Sequence, residues 1–405
     1  MAGEVEFIAD GTVTSPQGYV AGGVYAGLKS QGDEVADLGI LMSQRPASVA
    51  ATFSTSSIVS PSVTVSRQRV AGGSARGVVA NSGCANCAVG EQGITDALEM
   101  ARLAADHVGV DPGEMLVAST GIIGVELPMA LIRKGIPGVE LTAEGGEAFA
   151  RSIMTTDSRL KRAAVAFEAD GVRYHIGGVA KGVGMIHPDM ATMLCFLTTD
   201  ADVDRGFLQS ALSQSIDVSF NMIDIDGDQS TNDTVLLFSN GAAGGSQFSG
   251  ASESAGLFRD ALERLSVHLA KELVRDGEGA ERIFAVTVEG AASVADARLA
   301  AREIASSNLV KAMVHGRDPN WGRIMMALGH SGAEVEEPKI DIFINDIHIV
   351  HEGKAISYFT EAVVGGMNVP EVRFKVTLGI GESSATAWGC DLTEEYVTFN
   401  SAYST

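Results

Sequence analysis

Glycine placement constrains this 405-residue chain more than any other feature: 47 glycines stand against 10 prolines. They fall in short segments such as AGGVYAG, GVVANSGCANCAVG and GGVAKGVGM. That spacing serves tight turns and close backbone approaches between short elements, and is not that of a flexible linker. No repeat period or low-complexity block accompanies it.

Between the glycines, helices and strands both read from periodicity. Ile94, Leu98, Ala101, Ala105 and Val108 line one face of a helix over 92–108. Phe207, Leu208, Leu212 and Ile216 repeat the pattern behind Asp202 and Asp204, which suit a helix start. A longer helix is expected from Ser252 to Arg275, ended by Asp276-Gly277, and another includes 298–305. Ile340, Ile342 and Ile344 alternate as a half-buried strand that turns at Asn345-Asp346, and Val372, Phe374, Val376 and Leu378 form a second. The uniformly apolar runs Gly77–Ala80 and Met193–Leu197 read as strands covered on both faces. The class is therefore α/β, in layers. The helix-free, glycine-rich stretch between Ser239 and Ser252 is read as the boundary between a larger unit, 1–245, and a smaller C-terminal α/β unit, 246–405.

Composition excludes several functions. A formal charge of -22 without a basic block argues against nucleic acid or an anionic membrane as partner. No run approaches the roughly 20 apolar residues of a membrane span, and the N-terminus lacks the basic start and apolar core of a secretory signal. A cytoplasmic protein with a small-molecule partner is expected. Cys84, Cys87, Cys195 and Cys390 are too few and too spread for a disulfide framework, and Cys84/Cys87 lack the second pair or histidines of a zinc site. Asp224, Asp226 and Asp228 open like a calcium loop, but Gln229 stands where glycine is required and Val235 where the bidentate Glu belongs. There is no phosphate-binding loop and no G-x-S-x-G elbow. His348 and His351 read as surface histidines, so no metal is expected.

One dense run remains, from Gly177 through Lys181, His187, Pro188 and Asp189 to Ala191-Thr192-Met193-Leu194. A glycine-rich approach brings Lys181 close to backbone, and Thr192 opens an apolar strand. A threonine hydroxyl needs a nearby base. Cutting the chain before it frees an α-amine, reference pKa about 7.7–8.0, to serve as that base. Alone, Ala191-Thr192 reads as an ordinary half-buried β-branched strand start rather than a nucleophile. Three further clusters supply hydroxyls and turn N–H groups suited to an oxyanion or carboxylate: Ser119-Thr120-Gly121, Thr155-Thr156-Asp157 and Ser230–Thr234. Asp189 is read as a turn cap, His187 as a turn or core residue.

Eight motifs in order, PQGYVAGGVYAGLK, STGIIG, IMTTD, AKGVGMIHPDMATML, DIDGDQSTNDTVLL, LVRDGEGA, HGRDPNWGR and the ending NSAYST, span nearly the whole sequence. Together they resemble the ornithine acetyltransferase family of arginine biosynthesis, the self-processing glutamate N-acetyltransferases. The resemblance implies an αββα-type sandwich with an N-terminal-nucleophile-like core. It implies cleavage between Ala191 and Thr192, into an α chain of 1–191 and a β chain of 192–405. Thr192 would take the acetyl group from N2-acetylornithine as an ester and pass it to glutamate. Thr120 and Gly121 match the oxyanion hole, and Thr155, Lys181, Thr192, Glu278, Asn400 and Thr405 the substrate-binding positions. No cofactor is implied, acetyl-CoA remaining open as a co-substrate, and the assembly implied is two α and two β chains.

The sequence departs from the family pattern at Cys84 and Cys87 in NSGCANC, at SSIVSPSV, and at Glu281-Arg282, where Thr-Lys is usual. An amidohydrolase or aminopeptidase using the same nucleophile is the alternative enzyme, and a catalytically silent scaffold the non-enzymatic one.

Overall fold

The computed structural model describes residues 4–29, 35–187 and 193–402. Its larger sheet runs, edge to edge, through Glu6–Phe7, Lys161–Ala169, Val172–Lys181, Leu194–Thr199, Thr234–Ser239, Leu38–Phe53, Ser74–Asn81 and Met115–Ser119, with Tyr19–Val24 also paired to Leu38–Phe53. The 16-residue strand Leu38–Phe53 breaks register between Met42 and Ala47. Its first part pairs with Tyr19–Val24 and its last with Thr234–Ser239.

Strand alternation then sends side chains to three cores. Leu38, Ile40, Val79 and Val117 meet the helices Gln92–Val108 and Met129–Gly135. Leu41, Val78, Ala80 and Leu116 enclose a middle core with Val179, Leu194, Phe196, Leu236 and Phe238. Cys195, Leu197, Val235 and Leu237 face Phe207, Leu212, Phe258 and Leu265 of the helices Arg205–Asp217 and Ala255–Arg275. Helix, sheet, sheet, helix is the expected layering. The central strand Leu194–Thr199 is buried at every residue, as the apolar run Met193–Leu197 predicts, and so is its unread neighbour Thr234–Ser239.

A second sheet runs Lys354–Ala355, Ile347–His351, Asp341–Ile344, Glu371–Thr377, Ile283–Ala291, Ser383–Cys390 and Ile223–Asp224. The last pair of residues comes from the middle of the sequence and pairs in parallel with Trp388-Gly389. One apolar cluster extends from Val165 and Leu265 to Val286, Ile304 and Phe374, so both sheets pack on continuous core.

The periodic helices fall where expected. Gln92–Val108 ends on Gly109 at φ 74°, and Asp204 caps Arg205–Asp217 by accepting from the Phe207 N–H. The long helix begins at Ala255, three residues inside the expected start. Asn345 and Asp346 take φ of 45° and 68°, the turn geometry predicted between the strands Asp341–Ile344 and Ile347–His351.

Candidate active site

Where ends of elements from both sheets converge lies a cavity of about 360 Å³, lined by Thr120, Gly121, Thr155, Lys181, Glu278 and Asn400 among others. These six predicted positions come from five separate segments, Thr120 and Gly121 sharing one. Ala191, Thr192 and Thr405, like Asp189, lie outside the described residues.

Lys181 ends the strand Val172–Lys181 with its ammonium buried. It donates to Thr155 Oγ1 at 2.9 Å and Thr120 Oγ1 at 3.2 Å. Two of its three protons are thereby used, and both hydroxyls, accepting from a cation, must send their own protons elsewhere. Burial pulls the Lys181 pKa below the usual lysine value, against the upward pull of Asp157.

Asp157 sits beneath them. Its Oδ1 accepts from Gly182 N at 2.9 Å and from Lys161 Nζ at 2.6 Å, and its Oδ2 from Thr155 N at 3.0 Å. Burial alone would raise its pKa, but the ammoniums of Lys161 and Lys181 hold it at about 2. Lys161 also reaches Asp276 at 2.6 Å. This buried charge network fixes the Thr155-Thr156 turn against the strand that carries Lys181.

Thr120 and Gly121 follow the strand Met115–Ser119. Thr120 N donates to Asn81 O at 3.0 Å, and Asn232 Nδ2 ties the turn to its neighbour by donating to Ser119 O and Ala85 O at 2.7 and 2.6 Å. Gly121 has φ 129°, and a Cβ there would stand 2.3 Å from the Gly83 carbonyl carbon. Only glycine fits both the angle and the space.

Glu278 follows the end of the long helix. Its Oε1 accepts from Thr156 Oγ1 at 2.8 Å and its Oε2 from Asn400 Nδ2 at 2.9 Å. Asn400 stands on the helix Glu394–Ala402, whose Tyr396 hydroxyl reaches Asp226 Oδ2 at 3.3 Å. Asp226 also accepts from Met185 N and Ile186 N at 2.7 and 3.0 Å, while burial raises its pKa.

Sequence reasoning missed three residues here. Asp233, fully buried in STNDT, accepts from Met193 N at 2.9 Å, immediately after Thr192 in the chain. Burial pushes its carboxyl well above the ordinary range. Lys29 lines the cavity, and burial lowers it to about 8 against the upward pull of Asp37. Tyr396 closes the opposite wall. The acid in STNDT was a visible signal; Lys29 and Tyr396 carried none. His187 is not isolated: its Nδ1 lies 2.8 Å from buried Asp224, which also pairs with Lys311 at 2.8 Å.

Fold and pocket define a layered α/β protein with a polar cleft at the seam of two sheets. The ArgJ family profile matches residues 20–405. The arginine biosynthesis bifunctional protein ArgJ of Dehalococcoides mccartyi (strain CBDB1) is 44% identical over 405 residues, 100% of both chains. That of Symbiobacterium thermophilum is 47% identical over 403 residues, 99% of this chain and 100% of its own. The crystal structure of ArgJ from Bacillus halodurans matches at TM-score 0.51 and 40% identity, covering 51% of this chain and 98% of that one. The chain belongs to the ArgJ family.

Proposed function

We propose that this chain is a self-processing acetyltransferase of arginine biosynthesis, moving the acetyl group of N2-acetylornithine to glutamate through an ester on Thr192. The observation that carries the proposal is the convergence of Thr120, Gly121, Thr155, Lys181, Glu278 and Asn400 on one cavity. Membership of a family whose relatives are named bifunctional proteins of arginine biosynthesis supports the pathway. The solved ArgJ chain spans about half of this one while being 98% covered, which supports two separate mature polypeptides.

In this mechanism the chain is cut between Ala191 and Thr192, and the new α-amine takes the proton of its own hydroxyl. The Thr192 oxygen attacks the acetyl carbonyl. The Thr120 hydroxyl proton and the Gly121 N–H stabilise the charge that develops on the carbonyl oxygen. The carbon–nitrogen bond then breaks and ornithine leaves with the proton. The glutamate amine attacks the ester, giving its proton to the α-amine, the acyl carbon–oxygen bond breaks, and N-acetylglutamate leaves as the proton returns to the Thr192 oxygen. Lys181 has one proton left for a substrate carboxylate. Glu278, kept in place by Thr156 and Asn400, faces the side-chain amine. Asp233 holds the backbone beside the nucleophile.

No cofactor enters these steps. Whether acetyl-CoA also supplies acetyl groups is decided by offering it as sole donor to glutamate. We further propose a cytoplasmic assembly of two α and two β chains. No described helix is long and apolar enough to cross a membrane.

The deciding assay incubates the purified protein with N-acetylornithine and glutamate and follows both products. Stoichiometric ornithine and N-acetylglutamate are expected. Release of acetate without transfer would assign the amidohydrolase chemistry instead. An uncut chain in both wild type and Thr192→Ala would remove self-processing.

A further inference from the structure

Beside the cavity wall, three acidic or basic side chains from distant segments meet. Glu281 lies in the loop after Glu278, His315 in the last turn of the helix Asn308–Gly316, and Asp391 just past the strand Ser383–Cys390. Each offers a ligand atom within 4.8 Å of the others.

Asp391 is the telling member. Its side chain is fully buried. Its Oδ1 accepts from the N–H groups of Glu281 and Arg282, both at 2.9 Å. Its Oδ2 has no hydrogen-bond partner, and neither has the buried Nδ1 of His315, 3.5 Å away. Arg282 Nη1 stands 3.8 Å from that oxygen, within ion-pair range but too far for a hydrogen bond, and donates to Glu281 Oε2 at 3.1 Å, a contact the metal would displace. The two buried atoms face each other at ion-pair distance without a hydrogen bond, an incompletely satisfied pair that costs free energy unless something joins them.

We propose that Glu281, His315 and Asp391 bind a divalent transition-metal cation of the zinc class. One imidazole nitrogen with carboxylate oxygens is a borderline donor set, unlike the all-oxygen sets of calcium and magnesium. The backbone bonds to Oδ1 pre-orient Oδ2, as outer hydrogen bonds orient metal ligands generally. Glu394 adds a carboxylate 3.4 Å from His315 Nε2. With Glu281, Asp391 and Glu394 against Arg282, the formal charge around His315 is net negative. Glu281 and Glu394 are exposed, giving the ion an entry path.

Sequence spacing could not show this group, since 34 residues separate Glu281 from His315 and 76 separate His315 from Asp391. Its position matters for the cavity. Thr393 Oγ1 donates to Gly279 O at 2.7 Å, so the loop bearing Glu278 and the helix bearing Asn400 meet here. A cation would cross-link the two.

The test uses the full chain, stripped with a chelator and titrated with zinc chloride by calorimetry. One equivalent is expected to bind with a dissociation constant of about 10 μM or tighter, raising the melting temperature. His315→Gln and Glu281→Thr should each weaken binding about 10- to 100-fold, with zinc-free melting unchanged for the exposed Glu281 position. Asp341→Asn, in the surface group Asp341, His348 and His351, should leave binding as it is. No stoichiometric binding, binding unmoved by both first variants, or binding abolished by Asp341→Asn overturns the proposal; the first leaves a plain His–Asp pair.

Discussion

Thr120 is the residue whose geometry says most about its chemistry. Because its oxygen accepts from the Lys181 ammonium at 3.2 Å, its proton is committed to another acceptor, and the cavity supplies one when a carbonyl binds. Thr120→Ala should therefore lower kcat by about 10²- to 10³-fold with KM little changed; a loss below tenfold would remove it from the oxyanion role. Lys29 gives a pH signature. It is protonated below its value of about 8 and loses its charge above, whereas the Thr192 amine, reference about 7.7–8.0, must be neutral to act as base. The profile of kcat/KM should rise through the amine and fall through Lys29. Lys29→Arg, which stays charged, should abolish only the alkaline fall; an unchanged fall would exclude Lys29. Thr120 was legible because turn hydroxyls follow an apolar run. Lys29 was not, because its depressed value arises from burial by residues remote in sequence.

At the scale of elements, legibility followed apolar periodicity. The helix Gln92–Val108 was read to its ends from a helical period, but its buried face is Ala97, Met100, Ala101, Ala104 and Ala105, and Leu98, expected on that face, is exposed. The hairpin of Lys161–Ala169 and Val172–Lys181 went unread, although Asp170-Gly171 at φ 53° and 74° marks its turn; alanines and glycines gave its strands little contrast. The helix Glu394–Ala402 was invisible for a different reason: none of its side chains is buried. Polar contacts hold it, through Tyr396 to Asp226 and Asn400 to Glu278. Such a helix adds little to stability and much to pocket shape. A chain ending at Thr393 should melt within a few degrees of wild type, roughly the shift that 1 kcal/mol produces in a chain this size. Its KM for N-acetylornithine should rise at least about tenfold, the loss of one charge-assisted contact. A melting temperature lowered by more than about 10 °C would show the helix to be structural.

The whole molecule explains how a chain could be cut in its middle and remain one body. The family resemblance implies a cut at Ala191–Thr192 but says nothing of its setting, because sheet order depends on pairings between residues far apart. In the larger sheet, two strands on the C-terminal side of that bond, Leu194–Thr199 and Thr234–Ser239, lie side by side at the centre. Val172–Lys181 pairs with the first over six residues, and Leu38–Phe53 with the second over six. Both flanking strands belong to the N-terminal piece. Each central strand also sends alternate side chains into two cores shared with that piece. Separating the pieces would break two strand ladders and expose both cores, so the proposed cleavage would relieve the backbone constraint at one point without weakening the interleaved sheet. The cut protein should therefore elute as one species in native size exclusion and give two bands in denaturing electrophoresis. The N-terminal piece expressed alone should not fold cooperatively, because it lacks the two strands at the centre of the larger sheet. Cooperative melting of that piece on its own would show it to be an independent domain.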